Sequence, residues 1–432
     1  MSLLIRQGRL LDPASGTDRE ADLLIENGTV TKIADAGSLS VGGGEAGAET
    51  EIIEAQGKWI LPGLIDVHVH LREPGGEHKE TIHTGSHAAL AGGFTTVWAM
   101  PNTDPPIDDP AAVGYLRLAA RAARGTQVMP IGAASIGQKG ERMTEIGELV
   151  KAGAVAVSDD GAPVWDSGLM RRLLEYTQTF GIPVLQHAED ISLAGGVMNE
   201  GVVATALGLR GLPNAAESCI VARDIQLVEL TGGHLHVCHV SARQSVEQLR
   251  MAKEKGLTVT SEVTPHHLIL TDEMCRGYNT EAKVNPPLRT QDDVEAVTQA
   301  LLDGVIDIIA TDHAPHTYEE KEQEFDYAPF GINGLETAFG LCMRALVQPG
   351  RLSLSGLIDR MSCNPARIMG LESGTLRPGA PADIVVLDPD ERWTVDPADF
   401  RSRSRNTPIA GWELTGRVNH TLVAGEIRFE RN

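Results

Sequence analysis

The sequence predicts an α/β protein: a (β/α)8 TIM-like barrel joined to a small β-sandwich module built from both chain termini. Three observations carry this. Short apolar runs read as eight strands at 64–70, 94–100, 127–133, 154–158, 182–187, 234–239, 257–262 and 305–311. Helical patterns lie between most of them, AAVGYLRLAARAAR (111–124) and SGLMRRLLEYTQTF (167–180) among them. Imidazoles and carboxylates recur where those strands end, and a barrel delivers the C-terminal ends of its strands to one mouth.

The elements follow in order. Residues 1–58 read as short strands, SLLIRQG, ADLLIENG and TVTKIAD, with Asn27-Gly28 a hairpin signal and GGGEAGAET (42–50) a mobile surface loop. At Leu61-Pro62-Gly63 the pattern changes to strand–helix alternation, and the barrel is assigned to 59–368. An open doubly wound sheet is disfavoured because no GxGxxG follows the first strand. Strand-like runs return over 369–432, as ADIVVLD and RVNHTLVAGEIRFE with a turn at Gly425-Glu426, so the two ends are expected to pair.

Composition narrows the function. A hydrophobic content of 42% over 432 residues supplies a large core, and a net charge of −22 argues against nucleic acid or an anionic membrane as partner. A small anionic substrate remains compatible, since a few local cations suffice. The five cysteines show no CxxC spacing, which fits reduced thiols in a cytoplasm. MSLLIRQGRLLDP lacks the apolar core of a signal peptide, and no run approaches ~18 apolar residues, so a soluble cytoplasmic protein is expected.

The candidate site is read residue by residue. His68 and His70 are two apart on a strand and face one way, so both can reach one ion. Arg72 joins that face if the chain stays extended, where a guanidinium can grip a carboxylate; otherwise it is a surface charge. Asp159-Asp160-Gly161 is a ligand position or merely a turn, and periodicity does not say which aspartate points inward. His187 closes one strand and His239 another; Leu235, Val237 and His239 share a face, leaving His234 and His236 as structural. Asp312 either accepts a proton from an activated water or caps the next helix, with His313 and His316 close by. Such a ligand mixture suits zinc first, with manganese or cobalt also fitting. Two ions sharing a water would lower its pKa from ~15.7 towards ~7, which attack on an amide requires.

Two segments, Asp66-Val67-His68-Val69-His70-Leu71-Arg72-Glu73-Pro74 and Ala310-Thr311-Asp312-His313-Ala314-Pro315-His316 followed by Lys321, resemble the signatures of dihydroorotases in the amidohydrolase superfamily. Pro101-Asn102-Thr103, Asp159-Asp160-Gly161, Asn285-Pro286-Pro287 and Pro329-Phe330-Gly331 resemble further motifs of that family, in the right order along the whole chain. The resemblance implies a metal-dependent barrel that interconverts dihydroorotate and N-carbamoyl-L-aspartate in pyrimidine synthesis. It implies that His68 and His70 hold one zinc and His187 and His239 a second, with Asp160 and a hydroxide bridging them. Asp312 would contact the metal and shuttle the proton. Arg72, Asn102 and His316 would hold the substrate carboxylate, with His70, Asn285, Phe330 and Gly331 also against the substrate.

Relatives that bridge their metals with a carboxylated lysine differ here: this chain has aspartate, and Lys151 lies too far back. One ion rather than two is the other expectation for this aspartate-bearing branch. A homodimer and association with aspartate transcarbamoylase are implied partners. Two alternatives stand beside this reading, a hydantoinase-like or allantoinase-like cyclic amidohydrolase and a non-catalytic scaffold for the transcarbamoylase. The acidic stretch Glu319–Glu324 reads as a solvated loop or as a lid over the mouth.

Overall fold

The computed structural model describes residues 2–40 and 50–431; the expected loop over 42–50 lies, except for Thr50, outside the described residues. Five strands open the chain: β1 (Ser2–Asp12), β2 (Thr17–Glu26), β3 (Thr29–Asp35), β4 (Glu51–Glu54) and β5 (Trp59–Pro62). The β2–β3 hairpin turns on Asn27 and Gly28, both at positive φ (52° and 81°), the conformation that Asn-Gly favours in a two-residue turn.

The barrel strands follow as β6 (Leu64–Val69), β7 (Phe94–Ala99), β8 (Gln127–Ala133), β9 (Ala156–Ser158) and β10 (Val184–Gln186). Beyond a small parallel pair, β11 (Met198–Asn199) and β12 (Gly211–Leu212), come β13 (Leu235–Val237), β14 (Val259–Val263) and β15 (Ile308–Ile309). All eight barrel strands run parallel in sequence order. Each falls within or against a predicted run. The crossover helices start on side-chain caps: Thr81 for Ile82–Ala91, Asp109 for Pro110–Ala123 and Asp166 for Ser167–Thr177.

Two apolar shells hold the ring. Ile65, Val67, Trp98, Ile131, Ala156, Leu185 and Ile308 come from strands all around the barrel and fill its bore. Leu64, Val97, Leu235, Val237, Val259 and Val263 face the helices instead, packing with residues such as Leu116, Leu173 and Leu249. Burial on both faces is what a parallel sheet demands.

The seam between β15 and β6 is closed largely by a side chain. Asp66 accepts from the Thr311 amide at both carboxylate oxygens (3.2 and 3.1 Å) and from the His68 amide (3.0 Å). Just beyond, Val69 bridges His313 in parallel, and His70 N donates to His313 O at 2.9 Å. This clasp sits directly beneath the mouth.

The chain ends on β16 (Ile384–Thr394), β17 (Glu413–Val423) and β18 (Glu426–Glu430). β16 pairs antiparallel with β5, which lies beside β1, so one sheet joins both ends of the chain in the order β18-β17-β16-β5-β1-β2-β3, with β4 also on β1. It encloses its own core of Leu3, Ile5, Leu23, Ile60, Ile384 and Leu422. The β17–β18 turn is centred on Ala424 and Gly425, both at positive φ, one residue earlier than expected. Among the described residues no helix is long and apolar enough to cross a membrane.

Candidate metal centre and active site

The predicted residues converge. A cavity of about 290 Å³ opens at the mouth, lined by His70, Arg72, Asn102, Asp160, His187, His239, Asn285, Asp312, His316, Phe330 and Gly331. His68 lies below it, fully buried, with its ring 5.5 Å from that of His70 and 5.1 Å from that of His239.

Three of these side chains reach the cavity because the backbone leaves the strand. Arg72, His239 and Asp312 all have positive φ (60°, 33° and 47°), uncommon for residues other than glycine. On β13 Leu235 and Val237 face the helices while His236 and Cys238 face inward. Strict alternation would send His239 outward with Leu235; the left-handed turn at His239 brings it in. His239 therefore lines the cavity, but not through the face it shares with Leu235 and Val237, and His236 points inward onto Glu262. Arg72 likewise lies past the strand end at Val69, so an extended continuation does not explain its position. Asp312 lies three residues beyond the short β15.

Of the acidic pair, Asp159 accepts from the Ser135 amide at 2.9 Å and from the Ser135 hydroxyl, so it points away from the cavity. Asp160 points in. Its Oδ1 stands 3.4 Å from His68 Nε2 and 3.5 Å from His239 Nε2, and its Oδ2 3.4 Å from His70 Nε2. Asp312 Oδ1 lies 3.0 Å from His70 Nε2 and 3.5 Å from His68 Nε2. His187 Nδ1 is 2.9 Å from His239 Nε2 and 3.7 Å from Asp160 Oδ1.

Most of these separations are too long for good hydrogen bonds. Two donors each ~2.0–2.1 Å from one tetrahedral ion stand roughly 3.4 Å apart. His68 Nε2 and Asp160 Oδ1 are moreover buried with no hydrogen-bond partner among the described residues, a costly state unless a cation sits between them. His68, Asp160 and His239 form one group whose ligand atoms all lie within 4.8 Å of one another, and His68, His70 and Asp312 form another. The donor set fits a divalent metal.

The electrostatics agree. Burial works against ionising Asp160, yet His68, His187 and His239 hold it well below the usual carboxylate range. Burial also opposes charge on His187, but Asp160 and Glu189 raise it to about 10. Without a metal, the acids here favour protons on His68 and His187, whereas burial lowers the pKa of His70. A bound cation would replace those protons.

Around this cluster stand polar groups suited to a substrate. Arg72 Nε donates to Pro315 O (3.2 Å), and its Nη2 lies 3.3 Å from His316 Nε2. His316 Nε2 donates to Phe330 O at 2.8 Å, and burial, then Arg72, lowers its pKa, so it stays neutral. Asn102 Oδ1 meets His70 Nδ1 at 2.8 Å. Asn285 Nδ2 donates to Glu189 (2.8 Å), and its Oδ1 has no hydrogen-bond partner among the described residues.

Other expectations are corrected. His313 does not compete for the site: it lies 3.4 Å from Glu80 and accepts from Gly334 N. The acidic stretch is no free loop. Tyr318–Lys321 is helical with a capping box from Thr317 and Glu320, Glu320 pairs with Lys79 at 2.8 Å, and Lys321 and Phe325 are buried. Lys321 Nζ donates to Lys283 O and Pro329 O, fastening the segment beside the cavity wall. Lys151 lies on the surface, paired with Glu148. Sequence reasoning missed Glu262, whose carboxylate lies 2.5 Å from His68 Nδ1 and 3.1 Å from His236 Nε2. An acid inside an apolar strand was the available signal.

A family model described as "Dihydro-orotase-like" matches residues 57–245, and one described as "Amidohydrolase family" matches 290–429. The dihydroorotase of Geobacter metallireducens is 51% identical, with all of both chains covered. That of Anaeromyxobacter dehalogenans is 52% identical over all of this chain and 98% of its own. The chain belongs to the dihydroorotase family. Among solved structures, an L-hydantoinase (dihydropyrimidinase) from Arthrobacter aurescens superimposes with a TM-score of 0.87 at 27% identity, covering 98% of this chain and 95% of that one. A D-hydantoinase (dihydropyrimidinase) from Thermus sp. gives 0.82 at 26% identity, with 98% and 94% covered. Membership of the dihydroorotase family implies a bound metal, and the donor distances above accommodate one.

Proposed function

We propose that this family member interconverts dihydroorotate and N-carbamoyl-L-aspartate, with His68, His70, Asp160, His187, His239 and Asp312 holding two zinc ions. The observation that carries the substrate choice is Arg72: a guanidinium opening into the cavity beside Asp312 is a partner for a substrate carboxylate, which hydantoin lacks. When bound, the metal supplies Lewis-acid chemistry, acidifying water and polarising a carbonyl oxygen.

The residues supply the rest. Arg72, Asn102 and His316 anchor the carboxylate, fixing the ring amide over the cluster. Asn285 and the Phe330-Gly331 backbone line the opposite wall. Burial works against ionising Asp312, but His68, His70 and His239 hold it below the usual carboxylate range, so it is ready to take a proton. In hydrolysis Asp312 accepts the proton of the attacking water. As the carbon–nitrogen bond of the ring amide breaks, it passes that proton to the departing nitrogen. The carbonyl carbon becomes the new carboxyl group, and the second proton of the water leaves to solvent as that group ionises. Ring closure runs the same steps backward.

The test is to purify the protein, quantify metal per chain, and assay dihydroorotate against hydantoin. Turnover of dihydroorotate with about two zinc ions per chain supports the reading. Metal-loaded protein that hydrolyses only hydantoin points to a hydantoinase-like enzyme, and loaded protein inactive on both points to a scaffold. The reading extends to a cytoplasmic homodimer and to association with aspartate transcarbamoylase, both tested by sedimentation of the purified chain with and without that partner.

A further inference from the structure

Below the cavity runs a chain of buried polar side chains that the proposed reaction does not use. Glu262 projects inward from β14, since its neighbours Val259 and Val263 face the helices. Its Oε1 meets His68 Nδ1 at 2.5 Å and the His239 amide at 3.2 Å, and its Oε2 meets His236 Nε2 at 3.1 Å. His236 Nδ1 lies 2.8 Å from Thr260 Oγ1, and His234 Nε2 lies 2.9 Å from the same hydroxyl. His68, His236 and Glu262 are all fully buried, so water does not substitute for any of these partners.

We infer that Glu262 is a positioning residue that fixes the tautomer of His68, keeping the proton on Nδ1 and the lone pair of Nε2 turned toward the metal site. A carboxylate only accepts, so both imidazole nitrogens beside Glu262 must carry hydrogen. His68 is then protonated at Nδ1, and once a metal replaces any proton on its Nε2, which faces Asp160 and Asp312, that nitrogen is the electron-pair donor. His236 is protonated at Nε2, so its Nδ1 accepts the Thr260 hydroxyl hydrogen. Thr260 in turn accepts from His234 Nε2. The His68 and His236 protons are thus set from Glu262 outward, and the Thr260 hydroxyl has His236 Nδ1 as its nearer acceptor, with Leu235 O at 3.5 Å. The same carboxylate oxygen holds the His239 amide, where the backbone turns left-handed, so Glu262 orients two candidate ligands at once. Partners of this type, one bond behind a metal-binding imidazole, tune metal affinity by 10- to 100-fold.

The inference rests on His68 being a metal ligand, as proposed above, and Glu262→Gln tests it. A glutamine offers one acceptor and one donor end, so either His68 or His236 must shift its proton. Zinc affinity is measured on the folded apoprotein by competition with a chromophoric chelator, with folding checked by circular dichroism and melting temperature. The expected result is a 10- to 100-fold weaker zinc affinity in a variant that still folds. Wild-type affinity in the folded variant overturns the inference. Should E262Q not fold, ¹⁵N shifts of the imidazoles in zinc-loaded wild-type protein decide: a His68 that binds through Nε2 and keeps hydrogen on Nδ1 supports it, and one that binds through Nδ1 overturns it. Wild-type protein that binds no zinc at all would defeat the proposed reaction instead, so the two failures are distinguishable.

Discussion

Replacing Arg72 by methionine removes the cation assigned to the substrate carboxylate while keeping most of the side-chain volume. The guanidinium spends its Nε hydrogen on Pro315 O and directs Nη2 toward His316, leaving the Nη1 hydrogens and one more free for a ligand. Two charge-assisted hydrogen bonds at ~1.5–3 kcal/mol each set an upper range of about 3–6 kcal/mol. Water entering the vacated space recovers part of it. A net loss of about 3 kcal/mol corresponds to roughly 150-fold in kcat/KM for dihydroorotate, carried mainly by KM. The neutral ring of hydantoin makes no such contact, and its kinetics should barely change. Steady-state kinetics on both substrates, with melting temperature on the same sample, separate a lost partner from a disturbed Pro315 loop. Equal losses on both substrates, or an unchanged KM for dihydroorotate, would refute the assignment.

Asp312→Asn should retain zinc through the five other proposed ligands, as metal analysis can show, yet lose 10²- to 10⁴-fold in kcat, the usual worth of a positioned general base; near-normal turnover would remove Asp312 from proton transfer. Stripping metal with a chelator should lower the melting temperature, because it leaves His68 Nε2 and Asp160 Oδ1 buried and unpartnered, and zinc should restore it by mass action. Burial pushes the Glu336 carboxyl up to about 7, against hydrogen bonds from the Arg401 and Ser402 amides. The folded protein thus holds this proton more tightly than the unfolded chain does. The stability is fully present below about 4.5 and is lost as pH rises towards 7. Glu336→Gln should flatten the fall in melting temperature across that window, and an unaltered slope would exclude Glu336 as its source.

Much of the barrel was legible because its physical signals are local. Strands buried on both faces are nearly continuous apolar runs, and Asn27-Gly28 fits only a tight turn. The His68-Val69-His70 pair was legible too, since a two-residue period needs only a strand. His239 and Asp312 were different. Both lie where the backbone turns left-handed, and alternation carries no information past that point. The choice of Asp160 over Asp159 depends on Ser135, a residue from the preceding strand connection that no local pattern ties to it. Glu262 was invisible as a partner because its distance from His68 is 194 residues of chain. The acidic stretch misled for the opposite reason. Its composition suggests solvation, but Lys321 and Phe325 anchor it from the inside.

The clasp at Asp66 ties the amides of His68 and Thr311, which lie two and 245 positions from it along the chain. A contact of that span closes late during folding, after nearer pairings have formed. A nascent chain halted before the eighth strand would own five of the six proposed ligands and still lack the sixth. With Asp312 in its proposed role, catalytic competence reports completion of the ring.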